Sequence, residues 1–306
     1  PSGGPLVQHA LLALLELEKN KEMELKQIVK KTSHDVADCF KIRDRLKLIE
    51  YGLFSCKHNQ LIYYISTLMK SLVIIPTYNE IENIANILNA VLEKKDSFHV
   101  LVVDDQSPDG TAKKVKEIMA SNTDRLFIEE RTKKSGLGTA YIHGFKWAIK
   151  NNYQFIFEMD ADFSHDPDDL PRLLYTCAKH GADVCVGSRY VPGGKIINWP
   201  KSRYWLSFYA SLYVRFILGI KIKDTTAGFK CYTKRVLEAI DLDNIWFVGY
   251  AFQIEMKYSA IKLGFNVKEI PIFFKDRELG NSKMNIGIFR EAFLGVIKLR
   301  SKKFEK

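Results

Sequence analysis

Glu158-Met159-Asp160-Ala161-Asp162-Phe163-Ser164-His165-Asp166 is the stretch whose reading decides the fold. It follows the apolar run Phe155-Ile156-Phe157 and packs four carboxylates into nine residues. A strand that ends in Asp-Ala-Asp sets carboxylate oxygens at the carboxyl edge of a sheet. A divalent metal and a diphosphate need hard oxygen ligands and counter-charge at such a point. The competing reading is a solvated acidic loop, so the flanking segments have to decide.

Upstream, Leu72-Val73-Ile74-Ile75 is a continuous apolar run of the kind a buried parallel strand carries, closed by Pro76-Thr77-Tyr78-Asn79-Glu80. Ile81, Ile84, Ile87, Leu88, Val91 and Leu92 then recur at helical spacing. Residues 99–103 form the next strand and end in Asp104-Asp105. Residues 125–128 form a third, which leads to the turn Ser135-Gly136-Leu137-Gly138 and a helix through residue 150. That glycine pair is not a dinucleotide fingerprint, because the third glycine is missing. Residues 153–157 make the strand before the acidic stretch. Strand and helix alternate through short connections, which predicts a parallel α/β sheet that binds ligand at the carboxyl ends of its strands. Three such ends carry carboxylates: Glu80, Asp104 with Asp105, and Asp160 with Asp162.

Downstream, residues 183–187 read as a strand, and Ser188-Arg189-Tyr190-Val191-Pro192-Gly193-Gly194 as a mobile loop. A helix over residues 205–220 is aromatic and carries Arg215. Its composition suits a core helix or a water–lipid boundary.

At 306 residues the chain accommodates one large or two unequal domains, and its net charge of +10 points to anionic partners. Its five cysteines form no C-x-x-C pair, which argues against a zinc site or a disulfide framework. No stretch reaches the ~18 apolar residues of a membrane span. Residues 1–68 read as a separate module, three helices followed by a hairpin. That order resembles a winged helix-turn-helix in pattern only. The module holds ten Lys/Arg against eight Asp/Glu, so a protein partner or dimerisation is favoured over DNA.

Residues 69–290 resemble the family 2 glycosyltransferases of the GT-A fold, and within them the polyprenol-phosphate (dolichol-phosphate) mannose synthases. The matching blocks are Pro76-Thr77-Tyr78-Asn79-Glu80, residues 102–110, Met159-Asp160-Ala161-Asp162-Phe163-Ser164-His165, Gly187-Ser188-Arg189-Tyr190, Asp224-Thr225-Thr226-Ala227-Gly228-Phe229, residues 249–256 and residues 276–284. The resemblance implies a Rossmann-like mixed sheet over residues 69–306, with the winged-helix-like module at 1–68. It implies that Pro76, Tyr78, Glu80, Val103 and Asp105 hold the nucleoside, with Asp105 on the base. Asp160, Ala161 and Asp162 would meet the sugar diphosphate. Asp162 would be the main ligand of a Mg²⁺ or Mn²⁺ ion, with Asp160 and Ser164 beside it. Arg189, Arg277 and Lys283 would face donor phosphates, and Arg189, Arg203 and Ser207 the acceptor phosphate.

The implied reaction moves mannose from GDP-mannose to a polyprenyl phosphate with inversion. Asp162, Arg277 and Lys283 would stabilise the leaving diphosphate. A phosphate monoester is already an anionic nucleophile near neutral pH, so no general base is required. Asp224 and Glu255 are alternative bases, read here as structural. UDP-glucose or another nucleotide sugar is the competing donor. A regulatory fusion, in which residues 1–68 bind DNA or a protein, is the competing class. From Arg277 to Lys306 there are eight Lys/Arg against three Asp/Glu, with apolar residues interleaved. This predicts a basic amphipathic helix that lies on an anionic leaflet or docks on the core. The expectation is a peripheral protein at the cytoplasmic face of a membrane.

Overall fold

The computed structural model describes residues 70–94, 98–249, 251–277, 286–302 and 304. The chain divides into two units, Pro1–Leu68 and Met69–Lys306. The winged-helix expectation falls on the first, which lies outside the described residues.

The second unit is built on a seven-stranded sheet in the order β3-β2-β1-β4-β7-β5-β8. Its strands are β1 (Ser71–Thr77), β2 (His99–Asp104), β3 (Leu126–Glu130), β4 (Phe155–Glu158), β5 (Val184–Ser188), β7 (Lys230–Thr233) and β8 (Val267–Pro271). The apolar run in β1 has two jobs. Leu72 and Ile74 join the core on one face of the sheet, and Val73 and Ile75 the core on the other. A strand covered on both faces reads as continuously apolar rather than alternating.

Helices α1 (Ile81–Leu92), α2 (Thr111–Met119) and α4 (Leu170–His180) contribute to one layer. Helices α3 (Leu137–Lys150), α6 (Lys234–Ala239) and α7 (Ala251–Lys262) contribute to the other. The spacing in α1 puts Ile84, Ile87, Leu88 and Val91 on its buried side. In α3, Gly144 lets the helix approach β1 closely, since a Cβ there would stand 2.8 Å from Ile74.

The alternation of elements up to residue 157 predicts parallel strands, and β1 to β4 pair in parallel. The sheet is mixed, as the resemblance implies, because β7 runs antiparallel to both β4 and β5. The reason is where the chain comes from. Helix α5 (Lys201–Leu218) is followed by a loop in which Gly228 lies beside Asp160, at the carboxyl edge. A strand entering from that edge must run back against its neighbours. The predicted helix at 205–220 thus begins and ends slightly earlier, at Lys201 and Leu218.

Strand β1 continues to β2 on one side, and β4 later pairs on its other side, both parallel to it. The sheet therefore reverses its winding between β1 and β4, the point at which open α/β sheets open a crevice for ligand. A two-stranded parallel sheet, β6 (Lys195–Ile197) with β9 (Phe273–Lys275), joins the loop after β5 to the chain after β8. Helix α8 (Ile286–Leu299) completes the described chain.

Candidate active site

The carboxyl edge of β1, β2 and β4 is marked by backbone strain. Asn79 (φ 56°), Gln106 (φ 57°) and Phe163 (φ 58°) each occupy the left-handed region just past one of these strand ends. A bulky residue such as Phe163 adopts that region only when its surroundings enforce it, and such positions concentrate at functional sites.

The loops after β1 and β2 are tied together. Asp104 accepts from the Thr77 hydroxyl at 2.8 Å, and from the Ser107 amide at 2.8 Å and hydroxyl at 2.6 Å. The Asn79 amide donates to the Ser107 hydroxyl and the Glu80 amide to that of Thr111. Asp109 accepts from the Ile81 and Thr111 amides. This fixes Pro76, Tyr78 and Glu80 along one rim. Glu80 also accepts from the Asn83 side chain, and the Lys134 ammonium stands 3.9 Å from the centre of the Tyr78 ring. Val103 is fully buried in the core, within the ladder between β1 and β3. Asp105 is gripped at both oxygens by Arg131.

At the end of β4, Asp162 is buried. Its Oδ1 accepts from the Ser164 amide at 3.1 Å, and its Oδ2 pairs with Arg277 at 2.9 Å. Burial alone would raise its pKa. The hydrogen bonds from Ser164 and the charge of Arg277 outweigh that and hold the carboxyl below the usual range. Asp160 goes the other way. Burial, then repulsion from Asp162, pushes it up to about 7. Its Oδ1 accepts from the Tyr141 hydroxyl at 3.4 Å, and its amide donates to His165 Nδ1 at 3.2 Å. His165 stacks on Phe229 with ring centroids 5.0 Å apart, and burial lowers its pKa to about 4, so it is a neutral prop. Ala161 is buried between the two carboxylates. Gly228 lies beside Asp160, where a Cβ would stand 3.9 Å from Asp160 Oδ2, an ordinary contact.

Beneath these residues Glu158 is wholly buried. It accepts from Lys230 at 2.9 Å, Gln253 at 2.7 Å and the Tyr232 hydroxyl at 2.9 Å. This pairing follows from the β4–β7 register, in which Glu158 faces Lys230.

Each described basic residue of the expected set is paired with a carboxylate. Arg189 directly follows β5. Its side chain is 8% exposed and forks onto Asp224, with Nε to Oδ2 and NH2 to Oδ1 both at 2.7 Å. Arg203 lies in the first turn of α5, over the Trp199 ring, and donates to both oxygens of Asp276 at 3.0 Å. Ser207 follows one turn later on the same helix. The neighbour of Asp276, Arg277, reaches Asp162. The segment carrying both is anchored beside the acidic stretch, for the Lys275 amide donates to the Ser164 carbonyl and the Asp276 amide to that of Ile197. Lys283 lies outside the described residues. Glu255 is fully occupied: it accepts from the Trp246 and Phe247 amides and from Lys302 at 2.6 Å.

Sequence reasoning brought Asp160, Asp162 and Arg277 to one place, and the structure does the same. It missed Arg131, His165 and Asp276. Arg131 had a usable signal, because it follows the end of β3, a fourth strand end on the same edge. Asp276 lay within a matching block but reads as an ordinary loop acid until Arg203 meets it.

Helix α5 turns Trp205, Leu206, Tyr209, Leu212 and Phe216 outward, with Phe216 84% exposed. Helix α8 packs beside it through Tyr213, which stacks on Phe293 at 4.3 Å and donates to its carbonyl. Val296 and Leu299 face the core, while Phe293, Leu294 and Ile297 are exposed. One face of the C-terminal helix therefore docks on the core, and the other is left exposed. No helix among the described residues is long and apolar enough to cross a membrane.

Residues 72–241 match the family model described as Glycosyl transferase family 2. Over 227 residues the chain is 49% identical to the polyprenol monophosphomannose synthase of Mycolicibacterium smegmatis, covering 74% of this chain and 85% of that protein. Over 228 residues it is 47% identical to the undecaprenyl-phosphate mannosyltransferase of Micrococcus luteus, covering 74% and 93%. The fold resembles glucosyl-3-phosphoglycerate synthase from Mycobacterium tuberculosis solved with Mn²⁺, UDP-glucose and phosphoglyceric acid. The TM-score is 0.57 at 15% identity, covering 81% of this chain and 84% of that one.

Proposed function

Because the chain belongs to glycosyl transferase family 2, we propose that it transfers mannose from GDP-mannose to a polyprenyl phosphate in a single in-line displacement with inversion. It is a glycosyltransferase of the GT-A fold. Relatives named polyprenol monophosphomannose synthase and undecaprenyl-phosphate mannosyltransferase support the mannosyl group and the lipid acceptor.

The observation that carries the mechanism is the commitment of the carboxylates. Asp224 is held by Arg189, Glu255 by two amides and Lys302, and Glu158 by Lys230, Gln253 and Tyr232. None of these is placed to take a proton from an alcohol. An acceptor that arrives as a phosphate needs no such base, since its oxygen is already anionic. It needs cations instead, and Arg203 and Arg277 stand in sequence from α5 to Asp162.

Asp160 and Asp162 fit a divalent ion such as Mg²⁺ or Mn²⁺. They are hard oxygen donors set side by side, and burial, followed by repulsion from Asp162, pushes Asp160 up to about 7. Among the described residues no group of three or more His, Cys, Asp or Glu side chains is arranged to hold a metal ion, so this pair would hold one only together with other donors. When bound, such an ion supplies Lewis-acid stabilisation of the leaving diphosphate. Asp162 and Arg277 set the charge at that point. Lys283 adds to it, Tyr78 and Asp105 hold the nucleoside, and Arg203 with Ser207 meets the acceptor phosphate. Asp224 and Arg189 hold the loop that carries Gly228. The outward aromatic faces of α5 and α8 rest on the leaflet that presents the lipid.

The test is acceptor chemistry. With donor and Mn²⁺ fixed, a short-chain polyprenyl phosphate is glycosylated with an inverted anomeric centre, and the corresponding polyprenol is not. Equal turnover of the unphosphorylated alcohol would refute the base-free reading.

A further inference from the structure

Arg131 and the turn Ser135-Gly136-Leu137-Gly138 have no role in the chemistry above, yet they are built onto Asp105. The Arg131 Nε donates to Asp105 Oδ1 at 2.6 Å and its NH2 to Oδ2 at 2.7 Å, while NH1 donates to the Thr139 hydroxyl at 2.8 Å. The Thr139 hydroxyl donates in turn to the Gly136 carbonyl at 2.7 Å. The Arg131 amide donates to the Asp104 carbonyl at 2.8 Å, so the residue is tethered at both ends. Side-chain exposure is 14% for Arg131 and 8% for Asp105. Gly136 makes the turn feasible. Its φ is 102°, and a Cβ there would stand 2.9 Å from the Val248 carbonyl.

We propose that Arg131 is a positioning residue for the donor's nucleobase, fixing the Asp105 carboxylate in the one orientation that accepts hydrogen bonds from the base. This rests on the reading that Asp105 meets the base. A bidentate guanidinium fork sets both the position and the plane of a carboxylate. Each oxygen uses one lone pair on Arg131 and keeps another directed away from it. Without the fork, Asp105 has a free terminal torsion and must be ordered at each binding event. The turn's function is then to hold Thr139, which closes the outer edge of the fork. Lysine cannot replace Arg131, because a single ammonium cannot fix a plane.

The experiment is calorimetric binding to the full chain in Mn²⁺. The probes are inorganic pyrophosphate and whichever of GDP and UDP the wild type binds more tightly. Arg131→Met weakens the nucleoside diphosphate by about tenfold, the scale of a lost charged hydrogen bond, and leaves pyrophosphate unchanged. Arg131→Lys does not restore it. Thr139→Val, which removes the outer contact alone, weakens the nucleotide by about threefold and serves if Arg131→Met does not fold. Equal weakening of both probes would make Arg131 merely structural, and no weakening of either would also overturn the proposal. Asp105→Asn separates the two levels. If Asp105→Asn binds nucleotide as wild type does, the base-binding reading of Asp105 fails. If it binds poorly while Arg131→Met binds normally, that reading stands and the positioning role fails.

Discussion

Replacing Arg189 by Met tests whether this arginine binds phosphate or holds the fold. Asp224 is 0% exposed and receives three donations from Arg189: the amide at 2.9 Å, and Nε and NH2 at 2.7 Å each. Arg189→Met leaves the amide and removes both charged donors. It also strips a donor from the Thr226 hydroxyl, which accepts from NH2 at 2.8 Å. An uncompensated buried carboxylate costs about 3–5 kcal/mol. For a domain of this size each kcal/mol moves the melting temperature by about 2–4 °C, so the loss is about 6–20 °C. The pH dependence carries a second signature. In the wild type, burial raises the Asp224 pKa but Arg189 more than offsets this, so it lies below its ordinary value. That pair stabilises the fold above the ordinary carboxylate range and loses its contribution as pH falls through the depressed value. In Arg189→Met the pKa moves up, and the deficit relative to wild type shrinks on acidification. Arg189→Met with Asp224→Asn recovers much of the loss. Thermal unfolding followed by circular dichroism from pH 4 to 8 reads all of this. A melting temperature within about 2 °C of wild type, combined with raised substrate KM, would refute the structural role and restore Arg189 to the phosphates.

Glu255→Gln loses about 1–3 kcal/mol of stability, because the Trp246 and Phe247 amides and Lys302 lose their charged acceptor. Its turnover per folded molecule stays near wild type, whereas a fall of about 100-fold or more would mark it as a general base. His99, hydrogen-bonded to Tyr153, is held down to about pKa 4, first by burial and then by Lys70 and Arg125. The unfolded chain takes up that proton near 6.5, so the stability from neutral His99 is complete above 6.5 and lost as pH falls toward 4. His99→Gln therefore shows a shallower loss of urea midpoint over that interval. Phe216→Ser and Phe293→Ser each weaken co-sedimentation with anionic phospholipid vesicles by about tenfold or more, given ~1.5–3 kcal/mol per buried aromatic. Unchanged partitioning would remove the leaflet from the account.

The parts of the molecule legible in the sequence were those set by local pattern. The apolar run at Leu72–Ile75 announces a strand covered on both faces, and the acidic residues after β1, β2 and β4 announce a ligand edge. The direction of β7 was not legible. Lys230-Cys231-Tyr232-Thr233 is short, and its lysine looks exposed until Glu158 is set opposite it. The basic residues show the same limit. Arg189, Arg203 and Arg277 could be placed near phosphates by motif. That Arg189 would be spent on Asp224, Arg203 on Asp276 and Arg277 on Asp162 depends on pairings between distant segments that no local pattern encodes.

The central claim is tested most directly by a donor panel on the purified chain: GDP-mannose, UDP-glucose and other nucleotide sugars, each with Mn²⁺ and a short-chain polyprenyl phosphate. The account predicts a mannosylated lipid phosphate from GDP-mannose. Turnover with UDP-glucose alone, or with no donor in correctly folded protein, would contradict it.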